Sequence, residues 1–178
     1  MRNIVLAGFM GVGKSAVADF MKENRNMTVM DTDHLIEKKE GCTIQEIFRE
    51  KGEPYFRSLE TKLLKELSVQ DISNAVISCG GGMVLDPANV TLMKKLGIVV
   101  VLTATSETIY RRVKNCKKRP VLDNNMNVEY ISNLLDRRKV FYERASDIQI
   151  ETDNKTIEEI CQELSSAMDC ISERIISC

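Results

Sequence analysis

An α/β fold, with a mainly parallel sheet covered on both faces by helices, is what this sequence predicts. Five short apolar runs rich in branched side chains recur at residues 3–7, 27–30, 75–78, 98–102 and 148–150. Between them, apolar residues fall at three- and four-residue spacing, as in Ala16, Val17, Phe20 and Met21, or Leu59, Leu63, Leu64 and Leu67, which marks helical faces. The runs are continuous rather than alternating, as strands buried on both faces are. Strands alternating with helices imply crossover connections and parallel pairing, and they put ligands beyond the carboxyl ends of the strands, near the reversal of strand order.

A chain of 178 residues is expected to form one domain. Hydrophobic residues at 43% and charged residues at 29% supply enough apolar surface for a packed core. With 25 basic and 26 acidic side chains the net charge is -1, so no global field favours nucleic acid or an anionic membrane, and anion binding must be local. The six cysteines, Cys42, Cys79, Cys116, Cys161, Cys170 and Cys178, form no CxxC pair, and His34 is the only histidine. They read as reduced thiols of a cytoplasmic protein. The apolar start is too short and too soon interrupted by glycines to be a signal peptide, and no run approaches a membrane-spanning length, so a soluble protein is expected.

The first strand, 3–7, runs into Gly8-Phe9-Met10-Gly11-Val12-Gly13-Lys14-Ser15, which satisfies GxxxxGK[ST] between a strand and a helix, the context that motif needs. Glycines let successive amide N–H groups turn inward around phosphate oxygens, and the helix beginning near Lys14 adds its positive end. Lys14 supplies a cation at the β- and γ-phosphates, and the Ser15 hydroxyl can ligate Mg²⁺. A nucleoside triphosphate is therefore the expected ligand.

The second strand ends in Asp31-Thr32-Asp33, which in extended backbone sends both carboxylates to one side at the ligand edge. One carboxylate can hold hydrated Mg²⁺ while the other accepts a proton from a substrate hydroxyl. Asp33 is equally suited to cap a helix over 34–39. Some 40 residues then separate the second strand from the third, with helical patterns at 43–49 and 54–67, which predicts an inserted subdomain. Within it Pro54 suits a first helical turn and places Glu53, Arg57 and Glu60 on one face, where Arg57 either meets a ligand or makes a plain intrahelical ion pair. The third strand runs into Gly80-Gly81-Gly82, three unhindered amides at the ligand edge or simply a turn. No acidic pair ends that strand, as a motor ATPase would require, and Asn154-Lys155-Thr156-Ile157 lacks the aspartate of a guanine-reading NKxD segment. A kinase remains. Residues 115–127, basic at the start and asparagine-rich at the end, form a candidate lid.

From about residue 3 to about residue 168 the chain resembles the shikimate kinase family. The resemblance rests on GFMGVGKS, the DTD after the second strand, GEPYFRSLE in the insertion and GGG after the third strand, with Arg119-Pro120-Val121-Leu122 in the lid position and Arg138 four residues before Tyr142. Three departures accompany it: Val121 in place of a leucine, Lys139-Val140-Phe141 where proline and leucine are frequent, and a tail after Met168. None removes a polar group.

The resemblance implies a three-layer P-loop kinase fold with a five-stranded parallel sheet in order 2-3-1-4-5, an insertion over about 33–67, a lid over about 114–127 and a tail over about 169–178. It implies ATP-dependent phosphorylation of the shikimate 3-hydroxyl, on the route to the aromatic amino acids. Arg57 and Arg138 would hold the carboxylate of shikimate, Gly80, Gly81 and Gly82 would meet its ring hydroxyls, and Asp33 would orient the 3-hydroxyl. ATP would lie on Gly11, Val12, Gly13, Lys14, Ser15 and Ala16, with Arg112 and Asn154 flanking adenine. Arg119 would reach the phosphates, completing a catalytic set of Asp33, Lys14 and Arg119, and Ser15 and Asp31 would take Mg²⁺. The expected partners are ATP or ADP and shikimate, with no nucleic acid, no membrane and a monomeric chain. A kinase of the same fold acting on gluconate or a nucleoside monophosphate is the main alternative; a nucleotide-sensing module without catalysis would lack Lys14, Asp33 or the lid arginine, and all three are present.

Overall fold

The computed structural model describes residues 2–114 and 127–176, with side chains through residue 171. Most of the expected lid, including Arg119 and Val121, lies outside the described residues. In chain order the elements are β1 (Ile4–Ala7), α1 (Lys14–Arg25), β2 (Thr28–Asp31), α2 (Thr32–Glu40), α3 (Ile44–Ser68), β3 (Ala75–Ser78), a single 3-10 turn (Met83–Leu85), α4 (Pro87–Leu96), β4 (Ile98–Thr103), α5 (Ser106–Val113), α6 (Val128–Ala145), β5 (Ile148–Glu151) and α7 (Ile157–Ile176).

The strands form one five-stranded sheet in the order β2-β3-β1-β4-β5, parallel throughout. Ile4 pairs with Val76 on one side and Ile98 on the other, so β1 lies at the centre, where the strand order reverses. The period of two in a strand splits the core into two layers. Ile4 and Leu6 pack with Val17, Met21, Ile109, Ile131, Ile160 and Leu164, whereas Val5 and Ala7 pack with Ile36, Ile47, Leu64, Met93 and Tyr142. The inner strands are apolar on both faces for this reason. At the edges the pattern relaxes: β5 alternates buried and exposed, with Gln149 and Glu151 outward.

At the amino ends of the strands, buried Asn3 donates from Nδ2 to the carbonyls of Ile72 (2.7 Å) and Leu96 (2.9 Å) and accepts the Ala75 N–H at 3.0 Å. One side chain thus ties the starts of β1 and β3 to the end of α4. The insertion carries the two helical stretches read in the sequence, which run on as α3 and are separated by a kink where Gly52 takes the non-helical φ 79° and ψ 170°. Pro54 opens the second half, where its missing N–H costs no helical hydrogen bond. A capping box starts α3: Thr43 Oγ1 accepts the Glu46 N–H, and Glu46 Oε2 accepts the Thr43 N–H. The tail continues α7 to Ile176. Among the described residues, no helix is long and apolar enough to cross a membrane.

Candidate active site

The phosphate turn follows the central strand. Gly8, Gly11 and Gly13 take φ of 133°, 78° and 106°, values closed to most L residues, and these let the chain curl before α1 begins at Lys14. The Lys14 ammonium lies within that curl, donating to the carbonyls of Gly8 at 2.8 Å and Phe9 at 3.1 Å. The amino end of α1 and the ammonium together make the turn electropositive.

Beside it, Asp31 and Asp33 are arranged otherwise than an extended DTD segment predicts. β2 ends at Asp31, which caps α2 by accepting the His34 N–H at 3.0 Å, so Asp33 stands in the first helical turn and the cap role read as an alternative for Asp33 belongs to Asp31. Thr32 between them is fully buried, and its hydroxyl accepts the Gly80 N–H at 3.2 Å. This anchors the glycine triplet to the head of α2. Both carboxylates still line one cavity.

That cavity, of about 650 Å³, lies at the carboxyl edge of the sheet. Its lining contains Gly11, Gly13, Lys14, Ser15, Ala16, Asp31, Asp33, the glycine triplet, Arg57 and Arg138. Arg57 comes from α3, where its Nε and Nη2 donate to Glu53 Oε1 at 3.1 and 2.8 Å and its Nη1 to Glu60 Oε2 at 2.7 Å. The intrahelical ion pairs and the place in the cavity are therefore both real. Arg138, from α6, lies over the Phe9 ring with its guanidinium carbon 5.5 Å from the centroid. Two arginines and the phosphate turn share one side of the sheet. Val12, Arg112 and Asn154 lie outside the lining: Val12 is buried beneath the turn, and Arg112 is turned onto the turn's backbone.

Three residues that the sequence reading left without a role support this arrangement. Glu60 is fully buried, and its Oε1 has no hydrogen-bond partner among the described residues. Burial outweighs the pull of Arg57 and, with the neighbouring Asp33 charge adding to it, raises the Glu60 carboxyl to about 7. Arg57 keeps its charge, because the Glu60 and Glu53 carboxylates offset the burial that opposes it. Tyr142 donates its hydroxyl to the Gly81 carbonyl at 2.6 Å, and burial pushes that hydroxyl up against the pull of Arg138. Thr152 is the third. Glu60 left a trace in the sequence, three residues after Arg57, and Tyr142 another, four residues after Arg138; Thr152 left none. Cys79 is buried and its thiol is pushed up by that burial, which rules out a ready thiolate beside the triplet.

Gly82 fits its place by size. A Cβ there would come within 2.5 Å of Arg57 Nη1 and 2.6 Å of Nη2. The guanidinium therefore lies directly against the backbone after β3.

A glycine-rich phosphate turn on the central strand of a 2-3-1-4-5 sheet, facing paired carboxylates and two arginines in one cavity, defines a P-loop kinase of small molecules. The shikimate kinase family model matches residues 10–169. The chain belongs to the shikimate kinase family. A curated relative, the shikimate kinase of Dehalococcoides mccartyi, is 40% identical over 166 residues, 93% of each chain. Among solved structures, shikimate kinase from Acinetobacter baumannii in complex with shikimate superposes with a TM-score of 0.87 at 33% identity, covering 94% of this chain and 93% of that one. A gluconokinase from Sinorhizobium meliloti reaches 0.57 at 14% identity over 98% and 95% of the two chains, a likeness of fold alone.

Proposed function

We propose that the protein transfers the γ-phosphoryl group of ATP to the 3-hydroxyl of shikimate, giving shikimate 3-phosphate and ADP. The observation that carries this reading is the single cavity that joins the phosphate turn to Asp33, the glycine triplet, Arg57 and Arg138. A planar guanidinium grips a carboxylate by two hydrogen bonds, fixing direction as well as charge, so Arg57 and Arg138 are suited to orient an acid whose ring hydroxyls then meet Gly80 to Gly82. Glu53 and Glu60 hold Arg57 by its Nε, Nη1 and Nη2, which sets its guanidinium before any substrate arrives.

In this reading Asp33 accepts the hydrogen bond of the 3-hydroxyl and aims its oxygen at the γ-phosphorus. A bond forms between that oxygen and phosphorus as the bond to the β-phosphate oxygen breaks, and the hydroxyl proton leaves through Asp33. Phosphoryl transfer asks the protein for position and charge neutralisation rather than covalent chemistry, and Lys14 supplies a cation at the β- and γ-phosphates. Arg119, expected at the phosphates by resemblance, lies outside the described residues.

Ser15 and Asp31 border the cavity beside Lys14, and their hydroxyl and carboxylate are hard oxygen donors of the kind Mg²⁺ takes. Mg²⁺ keeps several waters and draws other ligands from phosphates, so two protein oxygens suffice for it. When bound, Mg²⁺ would neutralise charge on the β- and γ-phosphate oxygens. Cys42, Cys79, Cys161 and Cys170 are free thiols, in keeping with a cytoplasmic enzyme.

The test is a coupled assay of ADP release with purified protein, ATP and Mg²⁺, against shikimate, gluconate and a nucleoside monophosphate. Release should depend on shikimate; preference for either other acceptor would overturn the reading. Asp33→Asn should lower kcat by at least about a hundredfold while leaving ATP affinity within about threefold, because the change falls on the acceptor side. Equal loss in both would remove Asp33 from the role given to it.

A further inference from the structure

Thr152 follows β5 and is fully buried, yet it is polar and stands against the phosphate turn rather than in the apolar layers. Its Oγ1 lies 3.0 Å from the Val12 carbonyl oxygen and 3.1 Å from that of Thr103, and it accepts from Arg112 Nη1 at 3.1 Å. The same Nη1 reaches the Gly11 carbonyl at 3.2 Å, while Nη2 donates to the Thr152 carbonyl at 2.9 Å. The Thr103 carbonyl already accepts the Thr152 N–H at 2.9 Å. The one hydroxyl proton is thus best used by Val12.

A trans peptide group holds its C=O and N–H antiparallel. A carbonyl drawn towards β5 therefore turns the next residue's N–H away from it. Arg112 fixes the peptide between Gly11 and Val12 in this way, and Thr152 fixes the following one, between Val12 and Gly13. Two consecutive amides, those of Val12 and Gly13, have their directions set from behind the turn. Around Gly11 and Gly13, with φ of 78° and 106°, the backbone has wide freedom, and something outside the turn must choose among its conformations.

We propose that Thr152 is a positioning residue for nucleotide binding: its hydroxyl, with the Arg112 guanidinium as second strut, aims the Val12 and Gly13 amides at the phosphates. The inference rests on the reading that this turn holds ATP. It gives Arg112 a task distinct from flanking adenine, and it makes the end of β5 and the phosphate turn one rigid unit.

Thr152→Val removes the hydroxyl and keeps the shape. It should raise KM for ATP about tenfold, the effect of one lost hydrogen bond, with kcat and KM for shikimate within about threefold of the parent. Thr152→Ser keeps the hydroxyl and should stay within about threefold for ATP. Unchanged KM for ATP in Thr152→Val, or the same loss in Thr152→Ser, would overturn the proposal, since methyl packing alone would then explain the residue. If Thr152→Val does not fold, Thr152→Ala against Thr152→Ser isolates the hydroxyl, because both lack the methyl group; titration calorimetry with ADP should find the serine form about tenfold tighter, and equal affinities would end the idea. ADP titration also separates the two readings: a chain that binds ADP with this hydroxyl dependence but does not phosphorylate shikimate would refute the substrate assignment and leave the Thr152 role standing.

Discussion

Glu60 shows how one residue can matter to two properties at once. Its carboxyl titrates near 7 in the folded protein against an ordinary 4.5, because burial disfavours the charge more than Arg57 favours it. Between those values the folded state holds a proton that the unfolded chain has released, so stability falls as pH rises through roughly 4.5 to 7 and levels off above it. The full difference corresponds to about 3 kcal/mol. Glu60→Gln should flatten this decline, which urea unfolding of parent and variant at pH 5 and pH 8 would measure; an unchanged slope would mean that another group carries the proton. Little of this was legible in the sequence. The (i, i+3) spacing of Arg57 and Glu60 announced the ion pair, but helical spacing alone cannot tell a solvated pair from one whose acidic member is sealed beneath the glycine triplet. Thr152 was equally silent, since a threonine ending a strand is ordinary until the phosphate turn is seen against it. Lys14, Ser15, Asp31 and Asp33 could be picked out because each sits in a motif or at a strand end, whereas Arg57 stayed open between ligand and ion pair and Arg138, inside α6, came from the resemblance alone.

Among the elements, the meeting of α3 with the turn after β3 shapes the acid-binding end of the cavity. Gly52 bends α3, so its second half, beginning near Pro54, sets Arg57 against Gly82 while Phe56, Leu63 and Leu64 enter the core. The backbone at Gly82, with φ -96° and ψ -6°, accepts any L residue; only space forbids one. Gly82→Ala should therefore cost about 1–3 kcal/mol, because the guanidinium it displaces is held by Glu53 and the buried Glu60. It should also raise KM for shikimate at least about tenfold, with KM for ATP unchanged. Thermal unfolding and the two KM values check this, and loss of ATP affinity of the same size would point to disruption of the whole site. The strands were legible within a residue or two, as were the start of α1 and the helical stretches of the insertion, because their apolar periods match the layers they occupy. The angle between the two stretches on either side of Gly52 was not, because the backbone turn at Gly52, with φ 79° and ψ 170°, leaves no mark in the periodicity. The DTD segment misled for a related reason, because Asp31 caps α2 and turns the chain into a helix one residue after the strand ends.

At the scale of the molecule, the alternation of strand and helix predicted the layers, and the resemblance supplied the order of the sheet that composition and periodicity could not. The central place of β1 has a consequence for how the chain is made. Ile4 pairs with Val76 and Ile98, 72 and 94 residues later, so β1 leaves the ribosome long before either neighbour exists. At about 5–20 residues per second that interval is several seconds, during which Ile4, Val5 and Leu6 are an uncovered apolar segment. Refolding from urea should be correspondingly slow for a chain of this size, in milliseconds to seconds, and a fragment ending at residue 96, which lacks β4, should not give a cooperative unfolding transition. A fragment that did would mean that β1 and β3 suffice as a nucleus. The strand that carries the phosphate turn waits longest for its partners, and nascent chains stalled before residue 98 should be the ones that chaperones hold.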